Sequence, residues 1–362
     1  MKSGPSLQAV PEGIRCARDF EAHARTALSP EAWDYFNAHA GDGWTERANR
    51  AAWDEWALLP RVLRGVRSIA TATELLGATL PWPVLVAPMA LQRLAHEDGE
   101  LATALASSAL GAGMVLGSEA SLPIEMVARA FAPGPERGPL WFQLYLLADR
   151  GASLELVRRA EASGCQALVL TVDAGVRAAR ALRLPPGIAA VNLPAGAAEP
   201  GSLQARLANA PDWDDVAWLR AQTRLPLLLK GVLNSEDARE AARQGVAGLV
   251  VSNHGGRVLD GAIPTALALP RIAEAVDGAL PLLVDGGITR GTDILKALAL
   301  GARAVLVGRP VLWGLATAGA AGAAQVLRLL LDELQLAMAQ CGIGNLGQVD
   351  RGLLAPARTP NL

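Results

Sequence analysis

Eight short runs of apolar, mostly aliphatic residues recur between residues 84 and 310, and they constrain the fold more than any other feature. Amphipathic segments separate them, an alternation typical of βαβ units around a parallel sheet. Eight such units in roughly 250 residues match the size of a (β/α)₈ TIM barrel, whereas a doubly wound sheet rarely needs so many. We therefore predict a TIM barrel with these strands: VLVAP (84–88), GMVLGS (113–118), LWFQLY (140–145), ALVLTVD (167–173), LPLLLKG (225–231), GLVVSNHGG (248–256), LPLLVDGG (280–287) and AVLVGRP (304–310).

The segments between the runs have the pattern of helices, and many end in a glycine that suits a left-handed C-cap. Examples are ELATALASSALGAG, SLELVRRAEASG, SEDAREAARQG and TDILKALALG. Residues 1–80 are predicted to be a mostly helical N-terminal cap, in which Ser29 and Pro30 open the helix SPEAWDYFNAHAG. Residues 81–345 then form the barrel and residues 346–362 a C-terminal tail of the same single domain.

One connection departs from this rhythm. Residues 174–224, between the fourth and fifth strands, are rich in Pro, Gly and Ala and too long for a plain connector. Long loops at the C-terminal face of a barrel are usually functional, often as lids. We therefore predict a long active-site loop here.

Composition excludes several classes of function. The chain of 362 residues is 51% apolar with a net charge of −2, so no basic field exists to hold nucleic acid or an anionic membrane. The N-terminus lacks the apolar segment of a secretory signal, and a cytoplasmic location is expected. The apolar run PVLWGLATAGAAGAAQVL is interpreted as a packed helix rather than a membrane span. Cys16, Cys165 and Cys341 have no metal-ligand spacing, and we expect buried free thiols and no metal site.

Polar residues follow most of the predicted strands. Each alone has an ordinary structural explanation, such as a helix cap or a turn. The carboxyl ends of barrel strands, however, converge on one opening, so together they indicate an active site. The set comprises Gln143 and Tyr145, Thr171 and Asp173, Lys230, Ser252, His254 and Arg257, Asp285, Gly286 and Gly287, and Gly308 and Arg309.

The last two strands indicate a phosphate site. They end in VDGGITRGTD and VGRP, where barrels hold phosphate with glycine amides and a helix N-terminus. This predicts a phosphorylated substrate or a nucleotide-like cofactor. Lys230, in strand five, would then place its charge toward the cofactor ring, where it could stabilise a developing anion.

The chain resembles the FMN-dependent L-2-hydroxy-acid oxidase and dehydrogenase family, which includes glycolate oxidase, lactate oxidase and mandelate dehydrogenase. The resemblance covers nearly the whole chain, and the stretch SNHGGR is its most specific motif. Other segments in family order are AWDYFNAHAGDGWTERANRAAW, VLVAPMALQRLAHEDGE, WFQLYLLADR, LVLTVDA, LPLLLKGVLNSEDA and LVDGGITRGTDILKALALGARAVLVGRP.

The resemblance implies a role for each catalytic residue. His254 matches the catalytic base, Asp173 the carboxylate that orients it, and Tyr145 the residue that bonds the reacting hydroxyl. Arg257 matches the clamp on the substrate carboxylate, assisted by Tyr35 and by Arg180. Lys230 matches the charge at the flavin N1/C2 edge.

The resemblance also implies that FMN is the cofactor. The flavin ring would lie against the backbone of Pro88, Met89 and Ala90 and against Gly117. The polar edge of the ring would be bound by Gln143, Thr171, Lys230 and Ser252. The ribityl and phosphate groups would be bound by Asp285, Gly286, Gly287, Gly308 and Arg309. Three positions depart from the family pattern, namely Met89, Gly117 and Thr289. At Thr289 many relatives have a phosphate-binding arginine, which leaves Arg309, assisted by Arg290.

The predicted reaction converts an L-2-hydroxy acid to the 2-oxo acid, with O2 or another acceptor removing the electrons. Hydride and carbanion paths both remain open, and so do oxidase and dehydrogenase. Glu119 and Arg177 either line a pocket for a polar substrate or face solvent. The alternatives are a different phosphate-binding FMN barrel, of the isopentenyl diphosphate isomerase type, and a degenerate flavin-binding paralogue. Relatives commonly assemble as tetramers or octamers, and a homo-oligomer is expected.

Overall fold

The cap that precedes the barrel is helical only in its first part. The structure is a computed structural model that describes residues 8–131, 137–175, 184–194 and 202–357. Ser29 begins the second helix as predicted, because its hydroxyl accepts a hydrogen bond from the amide of Ala32 at 3.2 Å. The elements are a 3₁₀ turn (Ala17–Asp19), helices α1 (Phe20–Ala27), α2 (Pro30–Phe36) and α3 (Trp44–Asp54), and strands β1 (Trp56–Leu58), β2 (Thr73–Leu75) and β3 (Ala78–Leu80).

The prediction that residues 1–80 are mostly helical is wrong after α3. Strands β2 and β3 form an antiparallel hairpin. Its two turn residues, Leu76 and Gly77, have φ of 52° and 77°, the left-handed geometry of a two-residue hairpin turn. Leu75 and Leu80 are buried against side chains of the barrel interior, so the hairpin closes the N-terminal end of the barrel.

Eight parallel strands form the closed barrel. They are β4 (Val84–Val86), β5 (Gly113–Gly117), β6 (Leu140–Leu144), β7 (Leu168–Thr171), β8 (Leu227–Val232), β9 (Gly248–Val251), β10 (Leu282–Val284) and β11 (Ala304–Val307). The last strand closes on the first, with Val305 opposite Val84. Parallel strands buried on both faces have continuous apolar sequences, and all eight predicted runs form these strands in the predicted order.

Helices cover the outside of the barrel. Glycines follow several of them in the left-handed conformation as predicted, for example Gly164 (φ 79°) after the helix Arg150–Ala162 and Gly245 (φ 69°) after the helix Ser235–Arg243. The helices are α4 (Gly99–Ala109), α5 (Ile124–Ala130), α6 (Arg150–Ala162), α7 (Leu203–Ala208), α8 (Trp213–Gln222), α9 (Ser235–Arg243), α10 (Thr265–Val276), α11 (Gly291–Ala299) and α12 (Arg309–Gln340).

Helix α12 contains the apolar run noted in the sequence. By length and composition alone it is the one helix in the described ranges that could cross a membrane, and 56% of its most apolar window is buried inside the protein. It bends at Ala318 and Gly319, whose backbone angles are not helical. It packs against α4, α1 and α11, as a core helix does.

Two regions are more regular than their sequences suggested. The connection 174–224 contains α7 and α8, and α8 packs on the barrel through Val216 and Leu219. The predicted C-terminal tail includes strand β12 (Leu354–Pro356), which pairs antiparallel with β1 and so ties the end of the chain to the cap.

The three cysteines are buried free thiols, and burial raises the pKa of Cys165 to about 12.

Candidate active site

A cavity of about 430 Å³ opens at the C-terminal ends of the barrel strands. The cap helices α1, α2 and α3 complete its wall, through Glu21, Tyr35, Phe36, Glu46 and Arg50. Two further site residues lie directly behind the cavity, where Asp173 contacts His254 and Ser252 contacts Lys230. Arg177 and Arg180 lie outside the described residues. The other sequence-predicted site residues all line the cavity: Tyr35, Pro88, Met89, Ala90, Gly117, Gln143, Tyr145, Thr171, Lys230, His254, Arg257, Asp285, Gly286, Gly287, Gly308 and Arg309.

His254 is held between two groups. Its Nδ1 lies 3.0 Å from Oδ1 of Asp173, and its Nε2 lies 3.4 Å from the hydroxyl of Tyr145. The hydrogen bond to a carboxylate fixes the proton on Nδ1 and leaves the lone pair of Nε2 toward the cavity. This is the tautomer that accepts a proton from a substrate.

The electrostatics favour a neutral imidazole beside an ionised carboxylate. Burial lowers the pKa of His254, and Asp173 opposes this without overcoming it. For Asp173, burial raises the pKa, but His254 and Lys230 together hold it below its ordinary value. His254 is therefore a base at neutral pH, and Asp173 is placed to stabilise the charge that the imidazole gains.

Lys230 presents a buried positive charge at the floor of the cavity. It lies near the end of β8, and its side chain is 5% exposed. Its Nζ donates to Oγ of Ser252 at 2.9 Å and pairs with Oδ2 of Asp285 at 3.1 Å. Such a charge stabilises negative charge on any ring bound above it.

The cavity residues fit FMN. Oδ1 of Asp285 is buried and accepts no hydrogen bond from any described residue, so it can accept one from a ribityl hydroxyl. Gly286 and Gly287 have φ of 92° and 75°, which turns their backbone along the cavity wall. A Cβ at Gly287 would lie 2.4 Å from the carbonyl oxygen of Asn49, so only glycine fits. Gly308, at the start of α12, adds a helix N-terminus suited to phosphate.

Two arginines, Arg257 and Arg309, join the barrel to the cap where the end of α2 meets the cavity. Arg257 donates to the carbonyl oxygens of Phe36 (2.8 Å) and Tyr35 (3.0 Å), and its guanidinium lies 5.6 Å from the ring centre of Tyr35. Arg309 donates to the carbonyls of Gly255 and Ala38. These bonds fix both guanidinium groups at the cavity wall.

Arg50 is a cavity residue that the sequence reasoning missed. This α3 residue donates to the carbonyl of Gly287 at 2.7 Å and to Oγ1 of Thr289 at 3.1 Å, and it forms a two-pronged pair with Asp293. The sequence carried no signal for it, since Arg50 and Gly287 are 237 positions apart. Arg290, which was expected to assist, instead pairs with Glu333 at 2.8 Å and does not line the cavity.

The fold and the site together define a TIM-barrel flavoenzyme. A family model for FMN-dependent dehydrogenases matches residues 24–356, and the chain belongs to that family. It is 46% identical to an L-lactate oxidase of Nostoc sp. over 93% of this chain and 96% of the relative. It is 42% identical to the human 2-hydroxyacid oxidase 1 over 94% and 96%. A solved structure of mandelate oxidase with (S)-2-phenylpropionate matches with a TM-score of 0.85 and 40% identity, over 94% and 98%.

These similarities confirm the predicted family, the TIM barrel, the FMN cofactor and the class of reaction, oxidation of a 2-hydroxy acid. The isomerase and the degenerate paralogue are not favoured. The described residues for which the resemblance implied a catalytic role lie in or directly behind one cavity, namely Tyr145, Asp173, Lys230, His254 and Arg257.

Proposed function

We propose that the protein oxidises an L-2-hydroxy acid to the 2-oxo acid with His254 as the base and O2 as the electron acceptor. One observation carries the assignment of the base. His254 is the cavity residue whose proton-accepting nitrogen faces the opening while a buried carboxylate holds its other nitrogen. Relatives named L-lactate oxidase, 2-hydroxyacid oxidase and glycolate oxidase support the choice of O2.

Arg257 and Tyr35 would hold the substrate carboxylate. Both line the cavity, and a guanidinium fixed by three backbone carbonyls loses little entropy when it binds an anion. Arg180 is proposed as a further contact on the strength of the family resemblance alone. A substrate anchored in this way can place its hydroxyl beside Tyr145 and His254 and bond to both, since the tyrosine oxygen and Nε2 of His254 lie only 3.4 Å apart.

In the hydride path the hydroxyl proton of the substrate passes to Nε2 of His254, and in the carbanion path the α-proton does. Asp173 stabilises the resulting imidazolium, and Tyr145 keeps the reacting oxygen in place. FMN, when bound, supplies the acceptor for two electrons. It would be held by Lys230, Asp285, Gly286, Gly287, Gly308 and Arg309, with the ring against Pro88, Met89 and Ala90, next to Gly117.

The roles of Gln143, Thr171 and Ser252 are also proposals. Nε2 of Gln143 donates to Oγ1 of Thr171 at 3.0 Å, so the two side chains form one polar edge of the cavity. Ser252 positions Lys230. A cytoplasmic location and a homo-oligomeric assembly, as tetramer or octamer, remain proposals drawn from the sequence and the family.

The test begins with the absorption spectrum of the purified protein, which should be that of bound flavin. A panel of L-2-hydroxy acids is then added without oxygen, and bleaching identifies a substrate. Air is readmitted, and rapid return of the colour identifies an oxidase. A protein that takes up no FMN, or a His254→Ala variant that bleaches at the original rate, would contradict the proposal.

A further inference from the structure

Two asparagines form a closed amide pair behind the catalytic loop. Nδ2 of Asn49, on α3, donates to Oδ1 of Asn253 at 2.8 Å, and Nδ2 of Asn253 donates back to Oδ1 of Asn49 at 2.8 Å. They are 204 positions apart in sequence and only 1% and 4% exposed. A buried pair of this kind has one geometry that satisfies it, because each amide must face the other.

Both amides also bond to the backbone around them. Oδ1 of Asn49 accepts from the backbone amide of Thr265 at 3.3 Å. Nδ2 of Asn253 donates to the carbonyl of Ile263 at 3.1 Å, and its Oδ1 accepts from the amide of Gly256 at 3.3 Å. The pair thus joins the cap helix to both ends of the segment between β9 and α10.

This segment holds His254 in a strained conformation. His254 has φ of 59°, a region that non-glycine residues rarely occupy, and Asn253 precedes it directly. Two residues later, a Cβ at Gly256 would lie 2.6 Å from the backbone nitrogen of Glu46, so the turn is packed against α3 without space. A strained residue persists only where its surroundings hold it. Here α3 and the amide pair add to the bonds that His254 itself makes to Asp173 and Ser252.

We propose that Asn49 is a positioning residue for the base: through its amide pair with Asn253 it holds the 253–256 turn so that His254 stays in the left-handed conformation facing the substrate. Asn49 does not line the cavity. Its link to the catalytic turn is the pair with Asn253. The inference rests on the proposed role of His254.

The first test is an NMR pH titration of the four histidines in the FMN-loaded protein, with His254 assigned by its loss in His254→Gln. The titratable groups that face His254 are Asp173, Tyr145, Lys230 and Arg257. Burial is the largest influence on its pKa, so a loosened turn that admits water should raise the pKa toward its ordinary value. We expect Asn49→Ala to raise the pKa of His254 and to leave the other three histidines unchanged. An unchanged or lower pKa would overturn the proposal.

The second test measures the rate of anaerobic bleaching per bound flavin at saturating hydroxy acid. Displacing a catalytic group by about 1 Å costs on the order of 10²-fold in rate, and we expect a loss of this size in Asn49→Ala. Because both amides act through one pair, the Asn49→Ala/Asn253→Ala double variant should be no slower than Asn253→Ala alone. Fully additive losses would contradict the pair.

Trp82→Phe is the matched control for lost stability. It removes one buried side-chain hydrogen bond, from Nε1 of Trp82 to the carbonyl of Leu110 at 2.9 Å, at the opposite end of the barrel. It should lower the unfolding temperature and leave both the His254 titration and the bleaching rate as in the wild type. If Asn49→Ala behaves like this control, Asn49 is structural only. If no hydroxy acid bleaches the wild type, the proposed function fails, while the titration still decides the role of Asn49.

Discussion

Asp173 contacts the one nitrogen of His254 that faces away from the cavity, across 3.0 Å. Oδ2 of this carboxylate is buried and has no hydrogen-bond partner among the described residues. Among the described residues, His254 is therefore the side chain that hydrogen-bonds this carboxylate, and the charge of Lys230 acts on it as well. The geometry makes Asp173 both the group that fixes the tautomer and the group that stabilises the imidazolium.

Replacing this carboxylate tests the arrangement. Asp173→Asn should lower the rate of flavin bleaching by at least about 10²-fold, because the amide no longer stabilises a charged imidazole. Binding of FMN should be little changed, since Asp173 does not line the cavity. Stopped-flow bleaching with a saturating hydroxy acid, beside a fluorescence titration with FMN, measures both. A rate within about threefold of the wild type would remove Asp173 from the mechanism.

The pH dependence of bleaching reports the state of His254. The base must be neutral, so the rate falls as pH drops through the pKa of His254 and is constant above it. Burial lowers this pKa, so the acid limb should lie below the ordinary histidine value of about 6.5. In Asp173→Asn the limb should move lower still, because Asp173 raises the pKa of its partner. An acid limb above 6.5 in the wild type would contradict a buried neutral base.

The buried pair between Lys230 and Asp285 is the next target. Lys230→Met leaves the Asp285 carboxylate buried without its counter-charge, which costs on the order of 3 kcal/mol in the free energy of unfolding. The variant should also bleach more slowly, because it has lost the charge beside the ring. Lys230→Arg is the control that keeps a charge, and urea unfolding and stopped-flow bleaching are the measurements. Equal rates in Lys230→Met and the wild type would separate this lysine from catalysis.

Much of this site could be predicted from the sequence because barrel strands impose strong patterns. Strands buried on both faces are continuously apolar, so a lysine at 230 or an aspartate at 285 stands out at the end of such a run. The parallel arrangement then brings those strand ends together without knowledge of any contact. The glycines at 286 and 287 followed from the same logic.

The rest depended on contacts that no local pattern contains. Asn49 and Arg50 lie on a cap helix and meet the barrel across more than two hundred residues, so their neighbours are fixed only by the folded chain. The left-handed backbone of His254 could not be predicted either, since the two glycines that follow it were expected to form the turn by themselves. Leu76 has the left-handed backbone conformation that leucine rarely adopts, because buried neighbours hold the hairpin in place.

Arg50 and Arg290 offer a matched comparison at the phosphate end. Arg50→Ala removes the bonds to Gly287, Thr289 and Asp293 that support the glycine turn, and should weaken FMN binding by about tenfold. Arg290→Ala removes a partly exposed pair with Glu333 outside the cavity and should leave FMN affinity unchanged. Fluorescence titration of the apoprotein with FMN distinguishes the two. The opposite ranking would restore the original expectation for Arg290.

Glu119 is the charged side chain most suited to setting substrate preference. It follows β5, is partly buried, and lines the same cavity as His254 and Tyr145. A carboxylate at this wall disfavours an apolar substituent on the hydroxy acid, because binding such a group would desolvate the charge. Glu119→Leu should therefore raise kcat/KM for an aliphatic or aromatic 2-hydroxy acid by about tenfold or more relative to a polar one.

Glu119→Gln provides the control for that experiment. It keeps the size of the side chain and one acceptor oxygen and removes the charge, so it should fall between the wild type and Glu119→Leu for apolar acids. Each variant is assayed on the same panel, with the rate of bleaching and the apparent dissociation constant measured separately. Because the substituent binds away from His254, the change should appear mainly in the dissociation constant. If all three proteins rank the acids identically, Glu119 does not contact the substrate.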